Sequence, residues 1–435
     1  MQNYASNKQA ENPLQATLVL YTISMPSSHP NSTSPEPQSR VSFSNTREAF
    51  TYKSTQELQR AALLFRSIGW PVLARIGPRV LNTALGLRLP IRGLVRRFFF
   101  DQFCGGYNLP EAQATAQKLY AYGVRCTLDY AVEALKSTKG YEQTKEEILK
   151  AIRHAKDHPE IAFVAIKLTG LGNLHALAAA QPGLRTVPDG RDMDQLVQRL
   201  EAICQYARDA DQPIMIDAEE SWIQDQIDQL AERMMLTYNT HKAIVYTTIQ
   251  MYRHDRLHYL KQLAQQFAEK GVKLGVKLVR GAYLETEHER ARALGYPTPM
   301  QPSKAATDAD YDAAASYILS RIEDIALCAG THSEKSCAHI VQEMEARNLA
   351  HGHPHIIFSQ LYGMSDHISF NLARAQYNVS KYLPYGPLEE TMPYLFRRAS
   401  ENTSIAGQSG RELALIEQEL ARRKKEGRRP SRSKS

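Results

Sequence analysis

Arg397 and Arg398 stand side by side in the run PLEETMPYLFRRASENTS. There Tyr394, Arg398 and Glu401 recur at i, i+4 and i+7, and Arg397 and Glu401 at i and i+4, so a helix presents them on one face. Two neighbouring guanidiniums offer forked donors that suit a carboxylate. The same run could form solvated ion pairs on a surface helix, but the Tyr, Leu and Phe around it favour partial burial. A second polar set closes a series of short apolar runs: Asp129; Lys167; Asp217-Ala218-Glu219-Glu220; Gln250 and Tyr252; Lys277, Arg280 and Tyr283; Thr331 and His332; Gln360 and Tyr362; Tyr382 and Tyr385. Lysine inside AIKL and aspartate closing IMID need partners wherever they are buried. Singly, Asp217 serves equally well as a helix cap and Lys167 as a structural ion pair. Taken together, the set describes a pocket with a carboxylate clamp, a Lys–Asp pair and several tyrosines.

The elements that must carry these residues alternate regularly. Apolar or β-branched runs occur at 125–130, 161–168, 213–218, 243–250, 273–279, 326–332, 356–361 and 378–383. Amphipathic segments such as MDQLVQRLEAICQYARDA and HDRLHYLKQLAQQFAEKG separate most of them, the latter stopping on Gly271 as a C-terminal cap. Strands alternating with helices pair in parallel through right-handed crossovers. Eight of them predict an α/β fold, a closed (β/α)₈ TIM-type barrel whose chemistry sits at the C-terminal strand ends. A dinucleotide-binding sheet is disfavoured, because Gly170 and Gly172 lack the third glycine of the fingerprint. His351, His353 and His355 precede the seventh run, away from the mouth, and no metal set is expected.

Composition narrows the class. The chain of 435 residues is 43% hydrophobic and 23% charged, as in a globular enzyme. Five cysteines, scattered and without a CxxC pair, argue against a disulfide framework or zinc site. The net charge of +7 is the balance of RRKKEGRRPSRSKS alone, from Arg422 to the end, so the rest is neutral and no nucleic-acid partner is implied. No apolar run is long enough to span a bilayer, and the first 40 residues resemble neither a secretory signal nor a transit peptide. The expected organisation is a disordered segment over 1–45, a helical arm over 46–102, the barrel over 103–408, and a C-terminal helix with a basic tail over 409–435. Arg75, Arg79, Arg88, Arg92, Arg96 and Arg97 in the arm read either as solvated arginines or as a face for anionic lipid. The tail carries the same two readings, with a solvated, disordered end preferred. A cytoplasmic location is expected, with peripheral attachment to the inner face of the plasma membrane, or a mitochondrial one if the source is eukaryotic.

The motifs FCGG, VAIKLTG, MIDAEES, TTIQMYR, VKLVRGAYLE, GTHS, SQLYGMSD, KYLPYGP and YLFRRASEN, from Phe103 to Ser404, resemble those of proline dehydrogenases, both single-function enzymes and the corresponding domain of bifunctional proline-utilisation proteins. The resemblance implies a distorted barrel with its last helix over the mouth and FAD held non-covalently across the strand ends. It implies oxidation of L-proline to Δ1-pyrroline-5-carboxylate, a hydride passing from ring C5 to the flavin. Electrons would go to a membrane quinone, and a separate pyrroline-5-carboxylate dehydrogenase would consume the product. By the same resemblance Arg397, Arg398 and Lys167 hold the substrate carboxylate, with Asp217 the acidic partner of Lys167. Tyr382, Tyr394 and Leu361 pack on the substrate ring. Ala218, Gln250, Arg280, Gly281, Ala282, Thr331 and His332 lie on the flavin side, and Glu401 joins the network anchoring the arginines. Asp217 and Lys277 are each expected to be catalytic; many members have arginine where Lys277 stands near the flavin, and lysine offers a point charge instead of a fork. Tyr382 disfavours a hydroxyproline-preferring enzyme, whose relatives have a smaller residue there. A flavin- or proline-binding sensor is the alternative of a different class.

Overall fold

Burial on both faces makes a parallel strand a continuous apolar run, and each such run here becomes one. The computed structural model describes residues 41–68, 93, 96–131, 137–174, 190–388, 390–392, 394, 395, 397 and 408–427. Its strands are β1 (Val124–Tyr130), β2 (Ile161–Ile166), β3 (Ile214–Ile216), β4 (Val245–Gln250), β5 (Leu274–Val279), β6 (Ile325–Gly330), β7 (Ile356–Leu361) and β8 (Val379–Tyr385). They pair in parallel in chain order, and β8 closes on β1 from Val124↔Val379 to Tyr130↔Tyr385. The expected barrel is therefore present. Its distortion is local: β1 and β2 slip register between Cys126 and Thr127, and β3 is only three residues long.

The helices are α1 (Thr46–Ala49), α2 (Thr55–Ile68), α3 (Leu109–Tyr120), α4 (Thr138–Lys156), α5 (Arg191–Asp209), α6 (Ser221–Tyr238), α7 (Arg256–Glu269), α8 (Leu284–Leu294), α9 (Lys304–Leu319), α10 (Glu334–Ala346), α11 (Asp366–Arg374) and α12 (Gln408–Gly427). Local chemistry sets their ends. Ser137, Ser303 and Ser333 accept the backbone N–H three residues on, capping α4, α9 and α10. Gly271, with φ of +65°, turns the chain after α7 as its position in the sequence predicts.

The pleat then sorts side chains by face. Ile214, Ile216, Val245, Ile249, Val276, Leu278, Leu327 and Phe358 point outward into the main core beneath the helices. Phe163, Met215, Tyr246, Ala326, Cys328 and Ile357 form a separate cluster inside the barrel. Lys277 is in register with Cys328 and Thr248, so it shares that inner face. The apolar plug closes one end of the barrel and leaves the polar strand ends at the other.

The two ends of the described chain pack together. Ala49, Phe50, Leu58, Ala61, Ala62 and Phe65 of the arm bury Leu415 and Ile416 of α12. The solvated, disordered reading of the basic tail is corrected over 422–427, which are helical, and Arg422 and Arg423 both donate to the buried Glu419; residues 428–435 lie outside the described residues. Arg423 also donates to the Phe50 and Lys53 carbonyls between α1 and α2, each at 2.9 Å. Of the segment expected to be disordered, residues 41–45 are ordered, since Phe43 is buried and the Asn45 side chain caps α1; residues 1–40 lie outside the described residues. Arg75, Arg79, Arg88 and Arg92 lie outside the described residues, whereas Arg96 lies 4.6 Å from the Tyr107 ring centroid. The three histidines serve the loops: His351 and His355 donate to the Ala375 and Ile322 carbonyls. Among the described residues no helix is long and apolar enough to cross a membrane.

Ile416, 1% exposed between α12 and α2, tests this clasp. Ile416→Ala should cost about 2–5 kcal/mol by loss of burial and an unfilled cavity, read as a lowered denaturation midpoint.

Candidate active site

Asp217 follows β3 with its N–H still bonded to the Ile166 carbonyl at 2.8 Å, so its side chain continues the inward face of Met215. Both carboxylate oxygens are engaged. Lys277 Nζ donates to Oδ1 at 2.6 Å, and Tyr382 Oη donates to Oδ2 at 2.7 Å. The ammonium also lies 4.6 Å from the Tyr382 ring centroid. All three residues are buried, so the triangle ties β3, β5 and β8 together while cancelling its own charge. An unpaired charge at such a site would be far costlier. Burial and the Asp129 and Asp217 carboxylates hold the Tyr382 phenol well above its ordinary value, and it remains a donor.

The expected Lys–Asp pair is thus present with a different lysine. Lys167 follows β2 and was the predicted partner, but the pleat aims Lys277 directly at Asp217. The charge of Lys167 acts on Glu219 instead. Nor does Asp217 cap α6, which begins after Glu220.

Glu219 is a residue that sequence reasoning placed at the strand end without a role. It is buried and accepts from the Thr169 N–H at 3.1 Å and from the Thr169 hydroxyl. Burial outweighs those bonds and the charge of Lys167, pushing its carboxyl up to about 7. Its carbonyl accepts from Gln250 Nε2 at 3.1 Å. Gln250 is thereby fixed with Oε1 buried and without a hydrogen-bond partner among the described residues.

At the ends of β5 and β6, Arg280 fans out. It donates to Asp308 at 2.7 Å, Thr331 Oγ1 at 2.7 Å and Ser336 Oγ at 2.9 Å, with its guanidinium over the Tyr311 ring. Gly281 has φ of +136°, and a Cβ there would fall 2.5 Å from the Tyr252 ring, so no other residue fits. His332 Nδ1 lies 2.8 Å from Ser365 Oγ. Ala218, Lys167, Arg280, His332, Leu361 and Arg397 are half-buried, while Ala282 is exposed. They form an accessible rim above the buried Asp217–Lys277–Tyr382 floor. Leu361 packs with Tyr394, Met392 and Leu395, which brings the last helical segment to the ends of β7 and β8. Arg398 and Glu401 lie outside the described residues. Among the described residues no cluster of His, Cys, Asp or Glu could hold a metal ion.

A family model described as proline dehydrogenase matches residues 112–411. The chain belongs to the proline dehydrogenase family. It is 30% identical over 429 residues to proline dehydrogenase 1, mitochondrial, of Dictyostelium discoideum, covering 87% of this chain and 74% of that protein. It is also 35% identical over 331 residues to the carbapenem antibiotics biosynthesis protein CarD of Pectobacterium carotovorum subsp. carotovorum, covering 76% of this chain and 85% of that protein. The fold matches the solved structure of proline utilization A from Bdellovibrio bacteriovorus inactivated by N-propargylglycine, with a TM-score of 0.64 and 21% identity. That match covers 82% of this chain and 38% of the other, so the chain spans well under half the length of that protein. As a member of the proline dehydrogenase family the chain is an oxidoreductase, with its inward polar set at the barrel end where such enzymes place their chemistry.

Glu219 gives this site a pH signature. Its carboxyl is raised from 4.5 to about 7 on folding, so the folded state binds more protons than the unfolded one across that window, and stability falls as pH rises through it. Glu219→Gln should remove that slope, worth about 3 kcal/mol between pH 4.5 and 7. Chemical denaturation of both proteins at pH 5 and pH 8 measures the difference.

Proposed function

We propose that this chain oxidises L-proline to Δ1-pyrroline-5-carboxylate with non-covalently held FAD and passes the electrons to a quinone. The observation that carries the reading is the Asp217 carboxylate held between Lys277 and Tyr382 in the floor of the mouth, below an apolar wall of Leu361 and Tyr394.

The residues fit a flavin. Gln250 Oε1 is a buried acceptor that needs a donor, and Arg280 keeps N–H groups beyond its three bonds to Asp308, Thr331 and Ser336. Ala218, Gln250, Arg280, Gly281, Ala282, Thr331 and His332 would hold the cofactor. When bound, FAD supplies the two-electron acceptor for the oxidation. The chain supplies binding and orientation. Arg397, Arg398 and Lys167 take the substrate carboxylate, with Glu401 steadying the arginines, and Tyr382, Tyr394 and Leu361 shape the space for the ring. Oxidation removes a hydride from ring C5 and a proton from the amine. The Lys277 ammonium, fixed by Asp217, presents positive charge where negative charge develops, with no reorganisation needed. Tyr382 fills the pocket beside that pair, which favours proline over a 4-hydroxylated ring. A quinone acceptor and a separate dehydrogenase for the product belong to this reading by resemblance, and attachment to an anionic membrane surface is supported by the exposed Lys424 and Lys425 of α12.

The visible spectrum of the purified protein, before and after anaerobic L-proline, tests this directly. Oxidised-flavin bands should bleach with proline and only weakly with trans-4-hydroxyproline. A flavin spectrum unchanged by proline overturns the substrate; no flavin after reconstitution with FAD overturns the enzymatic reading in favour of a sensor. Asp217→Ala, which leaves Lys277 buried without its counter-charge, should slow bleaching by about 100-fold or more.

A further inference from the structure

The turn from β7 into α11 holds two residues in the left-handed region within three positions, Gly363 at φ +77° and Ser365 at φ +52°. A Cβ at Gly363 would fall 1.8 Å from the Gln102 carbonyl oxygen. A serine in that conformation persists only where its surroundings over-determine it. Here they do. Gln102 Nε2 donates to the Gly363 carbonyl at 2.7 Å, the Ser365 N–H donates to Glu412 of α12, and Ser365 Oγ meets His332. From behind, Lys381 Nζ donates to the Met364 carbonyl and lies 3.5 Å from that of Leu361.

Lys381 is fully buried on the outer face of β8, and its counter-charge is Asp366 Oδ1 at 2.9 Å. The other carboxylate oxygen is taken by two residues of the amino-terminal arm, Tyr52 Oη at 2.8 Å and Lys53 Nζ at 3.0 Å. Lys381 precedes Tyr382, so the two point to opposite faces of one strand. Leu361 is in register with Tyr382, and the Tyr362 N–H donates to the Tyr382 carbonyl at 2.9 Å. The outer lysine therefore grips the same short stretch of backbone that presents Leu361 and Tyr382 to the mouth.

We propose that Lys381, Asp366 and Lys53 form a positioning relay that holds Leu361 and Tyr382 from behind the barrel, so that docking of the amino-terminal arm sets affinity and selectivity for the substrate. The relay rests on the reading that these two residues line the proline site. It acts through the Leu361 and Met364 carbonyls. Once Asp366 no longer holds Lys381, those carbonyls lose their donor, the turn at Ser365 relaxes, and the pocket wall loses its fixed shape.

The test uses full-length, FAD-loaded protein. Asp366→Asn breaks the centre of the relay. Lys53→Met removes its outer end while leaving the Lys381–Asp366 pair, and so guards against a variant that fails to fold. Lys53→Arg is the conservative rescue. Arg66→Ala, which breaks the exposed 2.6 Å pair with Glu417 between α2 and α12, is the control outside the relay. Measured are KM and kcat for L-proline, calorimetric binding of tetrahydrofuran-2-carboxylate as a non-reactive ring carboxylate, and thermal stability. Asp366→Asn and Lys53→Met should raise KM and the analogue Kd about tenfold while kcat changes less than about threefold. Lys53→Arg should restore both, and Arg66→Ala should match wild type. A lower melting temperature with KM and Kd unchanged overturns the relay and leaves these residues purely structural. An equal KM shift in Arg66→Ala overturns it as well. Wild-type protein that neither oxidises proline nor binds the analogue overturns the functional reading itself, and the relay with it.

Discussion

The bond pair on Asp217 is the constraint on which the rest of the molecule depends. One carboxylate accepts from an ammonium on β5 and a phenol on β8, three strand ends brought together inside one barrel. None of the three is stable there alone. A buried charge without a partner is costly, and here the ammonium and the carboxylate each supply the other's. The triangle is therefore neutral as a whole and polar in every part, so it can present charge to a ligand without a large desolvation cost of its own.

Barrel closure is what makes that geometry repeatable. Parallel strands with the pleat in register point alternate residues inward, and closure of β8 on β1 leaves no free edge at which the register could slip. The lower inward layer is apolar and fills the interior with Phe163, Met215, Tyr246 and Ile357. The upper layer can then be polar because the helices and the last segment shield it from the side. Glu219 shows the cost of that shielding: held by Thr169 and Gln250, it is buried enough that its carboxyl is raised to about 7.

Much of this was legible in the sequence, for a physical reason. Strands buried on both faces must be written as continuous apolar runs, so all eight could be placed, and a polar residue that ends such a run stands out against it. The positions of Asp217, Lys277 and Tyr382 were legible on that ground. Their pairing was not. Lys167 and Lys277 both stand in apolar surroundings at strand ends, and which of them reaches Asp217 depends on how the closed barrel sets β2 and β5 about the end of β3, which no local pattern encodes. Lys381 was hidden for a related reason. In NVSKYL it reads as a polar residue within a strand, and only the packing of α11 against β8 shows that its outward side is the dry one. Arg423 misled in the opposite direction, since a basic run near a terminus is usually solvated, whereas Arg423 donates to the Phe50 and Lys53 carbonyls between α1 and α2.

The charged residues outside the barrel obey the same rule as those within it. Lys381 and Asp366 cancel in the interior, and Lys53 and Tyr52 bring the remaining donors from the arm. Glu412 of α12 takes the N–H of the strained Ser365, and Arg411 beside it pairs with Glu334 at the start of α10. Burial alone would raise Glu334, but His367 and Arg411 hold it down to about 2. The amino-terminal arm and the start of α12 thus both reach the turns after β6 and β7. In the turn after β7 Met364 and Leu361 join an apolar cluster, and polar contacts restrain the backbone around them. Ion pairs and captured carbonyls supply directional restraint where hydrophobic packing, which has no direction, cannot. That restraint is why the strained turn at Ser365 can stand beside a site that needs its walls fixed.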